Sequence, residues 1–85
     1  MKYPMYAIRD VKTSFLPPQL AMNDEDSIRQ FAMMVNSPEK VYGFQPKDFD
    51  LYQVGSFDTE KGVLEVESPI RFVVAGSALV NRDEK

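Results

Sequence analysis

Cysteine and histidine are absent from this chain. Without cysteine there are no disulfides, no thiolate chemistry and no cysteine-held zinc or iron–sulfur centre. The lack agrees with a reducing compartment. Without histidine the chain loses the side chain best matched to acid–base work near neutral pH, and the commonest metal ligand. Long apolar runs are missing too, so nothing reads as a bilayer-spanning helix. The N-terminal MKYPMYAIRD has no signal-peptide core, because Arg9 and Asp10 interrupt it. The chain therefore reads as cytosolic and unprocessed. Its acids are scattered and none follows a calcium-loop spacing. A surplus of positive charge is also lacking: the net charge is -3, which weighs against coating nucleic acid by bulk charge but leaves room for a local basic face.

Six phenylalanines and four tyrosines in 85 residues supply a small core and argue against disorder throughout. The length fits one domain over residues 1–85, with an ordered core from about 3 to 76 and a solvated tail at 81–85. A core this small is marginal alone, so self-association as a dimer or larger is expected.

Met5–Val11 reads as a strand with Tyr6 and Ile8 on one side and Ala7, Arg9 and Val11 on the other. Lys12, Thr13 and Ser14 either continue it or leave it. Pro17 and Pro18 stiffen an extended connection. Asn23 is an N-cap, followed by Asp24, Glu25 and Asp26 in the first turn, where negative charge suits the helix dipole. Ile28, Phe31, Ala32 and Val35 then mark one apolar helix face, ended by Asn36 and Pro38. Of Met33 and Met34, one completes the core and the other offers an adaptable contact surface. The connection SPEKVYGFQPKD (residues 37–48) holds Tyr42 and Phe44, read as packing on the core, with ligand stacking as the alternative.

Phe49–Phe57 and Val63–Glu67 read as a hairpin around DTEKG, with Asp58 starting the turn and Gly62 taking a left-handed conformation. Leu64 and Val66 are expected to face the core, and Glu65 and Glu67 to face water. Gly55 in mid-strand signals a bulge or a close backbone approach. Pro69 is expected to close that strand. Ile70–Ala75 forms a last one, apolar on both sides save Arg71, and so central or covered at an interface. The fold class is α+β: a small antiparallel or mixed sheet of about four strands with one helix packed on one face. A single helix leaves the other face to be polar or to meet something.

Asp48 and Asp50 share a strand face, which suits metal binding or acid–base chemistry, but with no third ligand the structural alternative is a cap on the turn after Pro46. DTEKG lacks the glycine run and following helix of a phosphate cradle. Arg9, Lys12, Arg29, Lys47 and Arg71, with Tyr6, Tyr42 and Tyr52, are the parts from which a single-strand binding surface is made. The competing reading is ordinary surface charge. No cofactor is expected, and no catalytic or metal-binding residue stands out.

YAIRDVKTSFLPP, MNDEDSIRQFAMMVNSP and PKDFDLYQVGSFDTEKGVLEVESP together resemble the small nonstructural protein of gokushoviruses, Microviridae with circular single-stranded DNA genomes. The likeness runs from about Tyr3 to Ala75. Its most specific pieces are I-R-D near the start and D-F-D-L-Y-x-x-G-x-F-D-x-x-x-G. The resemblance implies a protein of the infected host's cytoplasm that is absent from the mature virion. It also implies a part in single-stranded genome synthesis or packaging, and DNA binding, without established catalytic residues. On that reading Arg9, Lys12, Tyr52 and Arg71 are the nucleic-acid contacts. The alternative is an adaptor that docks on the replication initiator, the procapsid or a host factor without touching DNA.

Overall fold

A computed structural model describes residues 1–36 and 46–80. The expectations for Tyr42, Phe44 and the 81–85 tail lie outside those residues. Four strands form one antiparallel sheet in the order β2-β1-β3-β4. They are β1 (Lys2–Asp10), β2 (Gln19–Leu20), β3 (Phe49–Asp58) and β4 (Val63–Ala75). Among the described residues a single α-helix, α1 (Asp24–Val35), crosses one face, and a short 3-10 turn, Gly76–Leu79, follows β4.

The first strand begins earlier than its apolar pattern suggested, because Lys2, Tyr3 and Pro4 find partners in Asp58, Phe57 and Ser56 of β3. It stops at Asp10, where Asp10 Oδ1 accepts the Lys12 backbone N–H at 3.0 Å and the chain turns back. The segment after the turn runs antiparallel to β1. Leu16 donates to the Ile8 carbonyl at 2.8 Å, and Gln19 and Leu20 pair with Tyr6 and Met5. The stiff Pro17–Pro18 connection thus leads into an edge strand.

Helix α1 starts as its capping residues dictate. Asn23 accepts the Asp26 backbone N–H at 2.8 Å, and three acids occupy the first turn. Ser27, Phe31 and Val35 are the buried residues, one turn apart on the face that meets the sheet. Ile28 and Met34 flank them and are partly buried against the same core, while Met33 stays exposed. The core is Tyr6, Ala21, Phe31, Val35 and Leu51. At the far end the Asn36 side chain bridges the carbonyls of Ala32 and Leu79 at 2.9 and 2.8 Å, fastening the turn after β4 to the helix.

The β3–β4 turn forms as the sequence implied. Asp58 Oδ1 accepts the N–H groups of Glu60 and Lys61, and Gly62 has φ 66°, a region open to glycine without steric cost. Beyond the turn two expectations fail. Pro69 does not end a strand. Val63–Ala75 is one strand along one neighbour, interrupted where Gln53 pairs with Arg71 and Gly55 with Val66, so that Val54 alone stands opposite Glu67–Ile70. Proline has no N–H to give a ladder and is tolerated at such a bulge. Of the two readings of the last strand, central or covered at an interface, the first is excluded, since β4 is an edge.

The second failure concerns Leu64 and Val66. Register partners carry their side chains on one face, and β1, which alternates regularly, shows which. Tyr6 and Ile8 face the helix, so Tyr3, Met5, Ala7 and Arg9 face away. Tyr3 pairs with Phe57 and Phe57 with Leu64. Met5 pairs with Gly55 and Gly55 with Val66. Leu64 and Val66 therefore lie on the face without the helix, 66% and 89% exposed. Glu65 lies on the helix side of the sheet, beyond the helix itself, where Lys2 meets it at 3.0 Å. Twelve helical residues span about 18 Å, against a molecule 48 Å long.

Candidate functional site

The four proposed nucleic-acid contacts do not share a face. Arg71, Gln53 and Tyr6 are cross-strand neighbours on the helix side. There Arg71 is engaged: its Nη2 donates to both Asp24 carboxylate oxygens at 2.8 and 3.1 Å and to Gln53 Oε1 at 2.6 Å. Tyr6 donates its hydroxyl proton to the same carboxylate. This cluster ties edge strand β4, through β3 and β1, to the first residue of the helix. Lys12 sits in the turn after β1, 3.3 Å from the Asp48 carboxylate. Asp48, whose carbonyl also accepts the Val11 N–H, is buried in the turn before β3. Asp50 faces the other way, across from Arg9. The two aspartates thus form no joint site. Among the described residues no three acids gather to hold a metal ion.

The Arg71 guanidinium and the Tyr6 hydroxyl hold the Asp24 carboxyl below its ordinary value of 3.8. A depressed carboxylate stabilises the fold fully above its unfolded value, and that contribution is lost as pH falls through the lower folded value. Melting temperature should therefore drop as pH is lowered past 3.8. Asp24→Asn should flatten part of that acid limb; the part is small because the pair is about half exposed and solvent-screened. Thermal melts of the two proteins from pH 7 to pH 2 check it, and identical slopes would show that the cluster does not act this way.

Arg9 and Tyr52 lie on the open face. Tyr52 is the middle of three rings: Phe15 stands 5.7 Å away and Phe72 5.6 Å away between centroids, both edge to face. Sequence reasoning singled out Tyr52 but missed Phe15 and Phe72. Phe72 was legible as the alternate of Arg71 on its strand. Phe15 was not, since only the fold-back after β1 brings it across Arg9. Beside this row Ala7, Leu16, Pro18, Val54 and Ile70 line a shallow apolar hollow. The open face is thus an apolar sheet surface with Phe72 52%, Phe15 43% and Ile70 39% exposed. A separate recess of about 350 Å³ opens between α1 and the 16–21 segment, walled by Ile8, Leu16, Leu20, Phe31 and Met34. Its ionisable group is the Tyr6 hydroxyl, already committed to Asp24, so it offers no acid–base pair.

The family model of the phage ORF5 protein matches residues 3–79. The chain belongs to that family. The match takes in the whole sheet from Tyr3 onward, the helix and both faces described above, so the ORF5 protein's open face is part of what the family model spans. No curated protein and no solved structure matches significantly. No described helix of the chain is long and apolar enough to cross a membrane.

Proposed function

We propose that this member of the phage ORF5 family is a non-enzymatic accessory protein of gokushovirus-type phages. It acts in the host cytoplasm, outside the mature virion, in synthesis or packaging of the single-stranded genome. It works by protein contact through the uncovered sheet face. The observation that carries this reading is the placement of Leu64, Val66 and Phe72 on that face, while Glu65 and Arg71 of the same strand are held on the other by Lys2 and Asp24. Contiguous exposed apolar surface on a small soluble domain marks a contact site. A replication initiator, a procapsid or a host factor are the partners that the phage context suggests.

One observation favours a second reading. The Phe15–Tyr52–Phe72 row with Arg9 beside it has the composition of a single-strand stacking platform. Against it, Arg71, Lys12 and Lys2 are each paired with a carboxylate, which leaves little charge for phosphates.

A photo-crosslinking residue at position 66, in phage-producing cells, separates the two. The protein-contact reading expects adducts to protein, identified by mass spectrometry as this chain, a phage protein or a defined host protein. Adducts to nucleic acid alone would overturn it. So would saturable, salt-sensitive binding of a labelled oligonucleotide that Arg9→Ala with Tyr52→Ala abolishes in a folded sample.

A further inference from the structure

We infer that the open sheet face is first covered by a second copy of this chain, giving a two-fold pair of sheets with the helices outside. The inference rests on the protein-contact reading and names the occupant of that same face.

The area is adequate. Phe15, Leu16, Leu64, Val66, Ile70 and Phe72 are all more than a third exposed. Together they leave roughly 600 Å² of surface open per chain, and their half-buried neighbours add to it; a standard interface takes about 800 Å² from each partner.

The charge pattern also selects a copy of this chain over other partners. A two-fold interface sets the same patch against itself, so a patch of one sign repels its own image. Here the strand residues facing the open side are uncharged apart from Arg9 and Asp50. Those two are register partners, so the face is neutral although the chain carries -3. Of the acids of β4, Glu65 is turned away toward Lys2, and Glu67 stands in the interruption opposite Val54, outside the regular ladder. Two acidic chains thus have in this face a surface on which they can meet without repulsion. A polyanion finds no surplus of positive charge there. Sheets that pack face to face interleave apolar side chains at an angle near 30°, and alternate apolar residues on β4 and β3 provide that arrangement.

The test is sedimentation equilibrium of the full chain from low micromolar to about a hundred micromolar, a range that brackets weak dimers. The mass of two chains is expected. Val66→Glu should weaken pairing roughly a hundredfold or more, because each copy would carry an unpaired carboxylate into the contact. Glu65→Gln, on the other side, should leave it unchanged. Val66 is almost fully exposed, so its variant should fold, which circular dichroism checks; Leu64→Glu is the second variant. A one-chain mass at every concentration, or two-chain assembly that survives both substitutions, overturns the inference. If the purified chain is monomeric while position 66 crosslinks to another protein in cells, self-pairing fails and the protein-contact reading stands. Adducts to nucleic acid alone defeat both.

Discussion

Phe31→Ala should lower the unfolding free energy by about 3–5 kcal/mol, among the larger effects of a core truncation. Phe31 is 3% exposed and sits in the cluster with Tyr6, Val35 and Leu51. The helix is held to the sheet by few large side chains, and Phe31 is the bulkiest of those it buries. The ring lies over β1 and β3, whose backbones are locked in ladders on both sides, so the void has limited room to collapse. A chain this short has a total stability of roughly 5–10 kcal/mol, so the variant should melt on the order of 15 °C lower or more. Denaturant unfolding at one fixed protein concentration measures it, since any association would otherwise shift the midpoint by mass action. A loss below about 1 kcal/mol would mean that the helix face is wrongly identified.

The second large effect should come from the smallest side chain. Gly55 is buried in β3 next to the bulge, and a Cβ at this position would overlap the Glu65 carbonyl oxygen of β4. The obstructing atom is backbone, so it cannot swing aside as a side chain can. Gly55→Ala must push β4 off β3 or shift the pairing at Val66, and should cost about 2–3 kcal/mol, the range for overpacking. The reduced entropy of an unfolded alanine chain returns less than about 1 kcal/mol of that. Ser56→Ala, one residue away, should be close to neutral. Urea unfolding of the three proteins compares them. Equal midpoints for Gly55→Ala and the parent would show that the strands do not approach this closely.

The helix was readable because its signals are local. Asn23, the acids after it and the spacing of Phe31 and Val35 act within a few residues of one another. The hairpin was readable for the same reason, through Asp58 and Gly62. Alternation along β4 was readable as well, but alternation defines two faces without saying which is covered. Leu64 and Val66 were assigned to the core because a soluble domain normally buries its apolar face. The helix covers the opposite face, and which face β4 turns toward it appears only once its register with β3 and β1 is known. Pro69 misled for a related reason. Proline ends a strand when its missing N–H is needed, and here the bulge removes the need.

The candidate site divided along the same line. Arg71 carries a charge that any sequence reading would assign to solvent or to phosphate. Its engagement with Asp24 depends on packing a helix N-terminus across three strands, from a position 47 residues away in the chain. Tyr52 was chosen as a ring, but what makes it notable is its two neighbours. One of these reaches it only by the turn at Lys12. Long-range placement, more than residue type, separates the engaged cations from the open face.

The interruption opposite Val54 bears on how large any assembly of this chain can grow. An uninterrupted edge strand offers a continuous row of donors and acceptors on which incoming chains can stack without end. Along β4 the pairing with β3 is interrupted at Glu67–Ile70, and Pro69 within that stretch has no N–H to offer an incoming strand. A strand added along this edge would meet that interruption midway, although the edge carries exposed valines and a leucine. Contact through the open face has the opposite character: once two copies have met, each has used up the surface that brought them together. A chain built this way can be sticky in one direction and still not polymerise.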